Sequence, residues 1–121
     1  MKKSQSATVR ISDLKLRAII GTNEWERHTK QYVVLNISLN YDARKPIRSD
    51  HLKEAVDYRA LTKKIIKEVE SSRFFLLEKL TSCILKKVME NPKIKSATVR
   101  IDKPRALRYA RSISVELSAR R

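Results

Sequence analysis

The sequence predicts an α+β fold, one domain over residues 1–121, in which an antiparallel sheet carries two helices on one face. Three observations lead there. Four segments alternate apolar and polar residues with the period of a strand. Two longer segments repeat apolar residues every third or fourth position, as a helix does. Along the chain these follow the order β-β-α-α-β-β.

The first strand is "TVRISDLKLRAII". Its apolar phase is odd at Val9 and Ile11, then even at Leu14, Leu16, Ala18 and Ile20. A phase slip at Ser12-Asp13 predicts a long strand carrying a bulge. The second, "QYVVLNISLNYD", sets Val33, Leu35, Ile37, Leu39 and Tyr41 on one face. The first helix is "YRALTKKIIKEVE", where Leu61, Ile65 and Val69 recur every fourth residue opposite lysines. In the second, "LLEKLTSCILKKVME", the stripe is Leu77, Leu80, Ile84 and Val88, and Asn91-Pro92 stops it. Cys83 lies beside that stripe and reads as core. The last two strands are "SATVRID" and "RSISVELS". The hexapeptide "SATVRI" occurs at Ser6–Ile11 and again at Ser96–Ile101. Either a duplicated hairpin unit or two edge-like strands sharing a favoured pattern accounts for it. The sheet face away from the helices is rich in Asn36, Ser38, Asn40, Thr98, Ser112, Ser114 and Ser118. Small polar side chains suit a surface packed against other chains or enclosing water, as when sheets join edge to edge into a barrel.

Charge narrows the partners. Lys and Arg number 28 against 13 Asp and Glu, a formal +15. Such an excess points to a polyanion: nucleic acid, an anionic membrane or a phosphorylated small molecule, although it also favours solubility alone. A nucleic-acid-binding module would need an aromatic platform or a Gly-rich loop, and aromatics are only 6% of residues. No run approaches the roughly 18 apolar residues of a membrane span. The start, "MKKSQSATVR", has no apolar run behind its lysines, so no signal peptide is expected. One cysteine cannot form an internal disulfide, which fits the cytoplasm. His28 and His51 read as surface residues, no metal cluster is visible, and Trp25 reads as a partly buried loop anchor.

Four residues remain as candidates for chemistry: Glu26, Tyr58, Glu78 and Lys103. Glu78 stands among apolar side chains in "RFFLLEKL", where a charge is costly unless something binds it. It also falls in the first turn of a helix, where the macrodipole favours an acid facing solvent. The pattern alone leaves both open. Lys103, at a strand end fixed by Pro104, is one basic residue among many.

Four pieces carry a resemblance: "IIGTNEWERHTKQ", with a glutamate five and a glutamine ten residues after its glycine, "AVDYRAL", "RFFLLEKLT" and "IDKPRALRYA". Together, in this order, they resemble the dihydroneopterin aldolase family over nearly the whole chain. "RFFLLEKLT" and "ALRYARSISVELS" are more similar to its dihydroneopterin triphosphate 2′-epimerase branch. The resemblance implies a tunnelling fold (T-fold), with subunits forming a tetrameric barrel, often stacked into a homo-octamer, and active sites between subunits.

It implies retro-aldol chemistry on a pterin side chain with no metal or organic cofactor. Glu78 would anchor the pterin, with the backbone at Leu77 and Val56 against the ring. Gln31 completes the first motif. Lys103 would be the base, made neutral by burial or by cations such as Arg105 and Arg108. Tyr58, from the adjoining subunit, would relay a proton, and Glu26 would place water. Arg105, Arg108 and Arg111 are candidate triphosphate contacts. Epimerisation of 7,8-dihydroneopterin triphosphate is favoured over the alternative, an aldolase of folate biosynthesis.

Overall fold

A computed structural model of the chain describes residues 5–121. The expected principal elements are present. Strand β1 spans Ser6–Ile20 and β2 Gln31–Asp42. A short helix α1, Arg44–Ser49, precedes α2 at Tyr58–Glu70. A two-residue strand β3, Arg73–Phe74, leads into α3, Leu77–Met89. Strands β4, Ile94–Pro104, and β5, Ser112–Arg120, complete the order. In the sheet they run β3-β1-β2-β4-β5.

The four long strands pair antiparallel, as their alternation predicts. The sheet is nevertheless mixed, because β3 pairs in parallel with the end of β1 at Ile19 and Ile20. Two residues are too few for a period, so β3 leaves no sequence signal. Helix α1 is likewise new: it contains Pro46, buries nothing, and ends at Asp50 in the left-handed region (φ 56°).

One core holds both long helices to the same sheet face. Leu61, Ile65 and Val69 of α2 and Leu80, Ile84 and Val88 of α3 pack on Leu35, Ile37, Val99 and Ile101. Asp57 caps α2 by accepting the Ala60 N–H at 3.0 Å. Cys83 is half-buried rather than core. It lies 3.2 Å from Glu68, and burial, followed by that hydrogen bond and the acid's charge, pushes its thiol pKa up. Among the described residues no helix is long and apolar enough to cross a membrane.

The predicted bulge is present. The β1–β2 register shifts between Ile11 and Leu14, and Asp13 has φ 54°. Asn36 fastens it from both sides, accepting the Asp13 N–H at 3.0 Å and donating to the Asp13 carboxylate at 3.2 Å. Other polar residues of that outer face also pair with each other: Thr8 with Asn40, Asn40 with Ser96, and Thr98 with Ser118. Their small size therefore has an explanation within one subunit. The two "SATVRI" segments flank the same strand, both antiparallel to β2. The β4 copy is interior, so the edge-strand explanation fits only the β1 copy.

Candidate active site

The site begins where β1 ends. Gly21 follows Ile20 with φ +127°, a backbone conformation that L side chains rarely adopt. A turn of 3₁₀ helix at Glu24–Arg27 then folds Glu26 back over it. A Cβ on Gly21 would sit 2.2 Å from the Glu26 Cδ and 2.3 Å from either carboxylate oxygen. The glycine five residues before a glutamate is thus the seat of that carboxylate. Gly21→Ala is expected to cost about 1–3 kcal/mol of stability, from backbone strain and an evicted acid. A urea titration of both proteins checks this, and matching midpoints would mean that the loop relaxes freely.

Glu26 is only 5% exposed. Its Oε1 accepts the Asn23 N–H at 3.2 Å, and its Oε2 accepts the Gln31 side-chain amide at 3.1 Å and the Lys103 ammonium. Gln31 also donates to the Ile20 carbonyl at 2.7 Å, which locks its amide against β1. Burial alone would raise the Glu26 pKa. The hydrogen bonds from Lys103, Gln31 and Asn23, with the charge of Lys103, outweigh it and hold the carboxyl below its ordinary range.

Lys103 reaches the acid because it shares the core-facing row of β4 with Ala97, Val99 and Ile101. Its side chain is 13% exposed. Of burial and neighbouring cations, the two influences expected at Lys103, burial is present. Its ion-pair partner is a carboxylate, while Arg105 and Arg108 are exposed in the turn that follows. That turn is closed by a 3.1 Å hydrogen bond from the Arg105 N–H to the Arg111 carbonyl, with Arg105 at φ 62° and Arg108 stacked on Tyr109.

Arg27 ties this corner to α3. Its guanidinium donates to the carbonyls of Gly21 (2.9 Å), Phe74 (3.0 Å) and Arg73 (2.7 Å), and lies over the Phe75 ring. Sequence reading missed Arg27, since nothing separates it from the other basic residues before the fold is known. The clamp fixes the segment that delivers Leu77 and Glu78. Leu77 is buried in the core and Glu78 is exposed. Leu76, at the N-cap, supplies no side-chain hydrogen bond, so α3 begins without a side-chain cap.

The chain therefore brings Glu26, Gln31 and Lys103 into one hydrogen-bonded cluster. It does not bring Tyr58 there: that ring is 58% exposed at the start of α2, two residues after buried Val56. Among the described residues the side chains of Tyr58 and Glu78 have no hydrogen-bonding partner. Arg111 is exposed like the other two arginines. Trp25 is a correction. It is 57% exposed, since Glu26 rather than the indole is the inward residue of its turn.

A mixed sheet with two long helices on one face has the architecture of a class, the tunnelling-fold proteins. A structure solved as a candidate dihydroneopterin aldolase (FolB) from Vibrio cholerae superposes with TM-score 0.90 at 27% identity, covering 95% of this chain and 98% of that one. The Escherichia coli dihydroneopterin aldolase solved in complex with neopterin gives 0.88 at 24% identity, over 93% and 98%. The family model described as "FolB: Dihydroneopterin aldolase" matches residues 9–118, and the chain belongs to that family. It is 44% identical to the dihydroneopterin triphosphate 2′-epimerase of Pseudomonas aeruginosa, over 95% of this chain and 94% of that protein. The enzyme of the same name from Escherichia coli K12 is also 44% identical, over 96% and 97%.

Proposed function

We propose that this protein epimerises 7,8-dihydroneopterin triphosphate at the 2′ carbon by retro-aldol cleavage and re-addition. The observation that carries the reading is the buried Lys103–Glu26 pair beside Gln31, in a chain 44% identical to epimerases.

A dihydropterin presents a ring N–H next to an exocyclic amino group, two parallel donors. Glu78 takes both in a bidentate fork. Its exposure at the start of α3 supports this, because its acceptors are not engaged elsewhere. The ring packs on the backbone near Leu77 and, at the subunit boundary, Val56. The second side-chain carbon then loses its hydroxyl proton, and the bond between the first two carbons opens. The electrons move into the ring's C=N bond, which becomes an enamine and does what a lysine Schiff base does in other aldolases.

The proton passes through water to the neutral amine form of Lys103, which Glu26 positions, and the resulting ammonium returns it when the fragment re-adds. Tyr58 of a neighbouring subunit relays a proton at the enamine. If the aldehyde fragment turns over and re-adds, the second carbon is inverted. If glycolaldehyde leaves and the enamine is protonated, the product is 6-hydroxymethyl-7,8-dihydropterin, the aldolase outcome. Arginines 105, 108 and 111, held in one closed turn after Lys103, favour retention by gripping a phosphate tail.

The same reading makes the protein a homo-oligomer with sites between subunits, a tetramer or a stacked octamer. On β5 the core-facing Ile113 is 43% exposed although it pairs with Lys103. An apolar residue left open at a sheet edge beside the site is what a second sheet would cover. A cytoplasmic location also belongs to this reading, supported by the lone cysteine.

Product analysis tests the function. Incubated with dihydroneopterin triphosphate, the protein should return the 2′ epimer with little release of the triphosphorylated two-carbon aldehyde. Stoichiometric release of that aldehyde, or of glycolaldehyde from dihydroneopterin, would make it an aldolase, and no change in either pterin would remove the proposal.

A further inference from the structure

A cleft of about 490 Å³ opens beside the acid–lysine pair, lined by Lys15, Gln31, Tyr32, Pro104 and Arg105. Gln31 belongs to both, since its amide is the one that contacts Glu26. The volume falls within the roughly 300–1,000 Å³ of small-molecule sites. Its lining carries two cations and no acid. A cleft of similar size at the other end of the sheet is also rich in lysine and arginine, but Asp42 and Glu54 line it too. Of the two, the cleft beside Gln31 has the field for a compact polyanion.

Lys15 adds a second cation to Arg105, the one that the arginine turn places in this cleft. It stands on β1 after the bulge, exposed, with its ammonium 4.3 Å from the centroid of the Tyr32 ring. The ring face attracts the cation and restrains a side chain that would otherwise sample many rotamers. Arg105 enters the same cleft from the β4 end, with its backbone in the left-handed region.

We infer that Lys15, oriented by Tyr32 and acting with Arg105, binds the phosphate tail of the substrate and is a specificity-determining residue. This rests on the triphosphate reading above. The pterin end belongs to Glu78, the reacting carbons to Glu26 and Lys103, and the tail to this cleft.

The experiment measures two things in the assembled protein: kcat/KM for dihydroneopterin triphosphate and for dihydroneopterin, and binding of inorganic tripolyphosphate by calorimetry. Lys15→Gln should lower the ratio of the two kcat/KM values by about tenfold or more, the worth of one charge-assisted contact. It should weaken tripolyphosphate binding by a similar factor. Lys15→Arg should recover most of both. Lys45→Gln, in the other basic cleft, removes the same charge and should change neither. Equal losses in the Lys15 and Lys45 variants would mean that binding follows net charge, and the assignment falls. It falls too if Lys15→Gln leaves the ratio intact in a protein that turns over the triphosphate. Should the wild type turn over neither pterin, the functional reading fails, and the tripolyphosphate comparison still decides the cleft.

Discussion

Lys103→Ala is expected to cut turnover by about 10²- to 10⁴-fold, the range for loss of a positioned acid–base group. Pterin affinity should change far less, since the proposed anchor of the ring is Glu78. The structure adds a second consequence. Removing the ammonium leaves Glu26 buried, with Gln31 and the Asn23 N–H as its remaining donors. Breaking a buried pair from one side costs roughly 3 kcal/mol.

The pH dependence follows from the sign of the Glu26 shift. Its folded pKa lies below its unfolded value, so the folded state gains stability above the ordinary carboxylate range. That gain is lost as pH falls through that range toward the lowered folded value. In Lys103→Ala two of the lowering causes are gone, so stability at pH 7 should drop and its decline toward acid should flatten. Urea titrations at several pH values read this, and single-turnover kinetics read the chemistry. Normal turnover would remove Lys103 from the reaction, and an unchanged acid profile would remove the pair from the stability argument.

Glu78→Gln should weaken pterin binding by about a hundredfold or more, because a charged double acceptor becomes one acceptor and one donor facing two donors. Folding should barely notice, within about 0.5 kcal/mol, since the side chain is exposed and has no partner among the described residues. That contrast makes the result clean. A fluorescence titration with a pterin gives the affinity and a melting curve gives the stability. Unchanged affinity would move the anchor elsewhere. A large loss of stability would mean that Glu78 holds the assembly together rather than the ligand.

What the sequence revealed tracks how local each signal is. Strand β2 and helices α2 and α3 were legible because their periods run over a dozen residues or so, and both helices bury the residues named in advance. The bulge was legible because a phase change in β1 is itself a pattern. The short elements were not: α1 holds a proline, and β3 is defined only by its parallel neighbour. The site divides the same way. Glu26 and Lys103 could be picked out by resemblance, but their union spans 77 residues and no spacing rule reports it. Adjacency in sequence pointed to the arginines beyond the strand, whereas the pleat turns Lys103 inward onto Glu26, a partner that adjacency does not report. Arg27 was hidden because its partners are backbone carbonyls, which every residue possesses.

The chain has one glycine, and it sits beneath the buried acid of the candidate site. All three atoms that an added methyl would strike belong to the tip of the Glu26 side chain, which can swing away and leave the hydrophobic interior untouched. A mutation at that codon would therefore strain the backbone and displace the buried acid together, while the packing of sheet and helices stays in place. For a protein with so few loosely built positions, the most economical way to silence it by chance lies at the residue with no side chain at all.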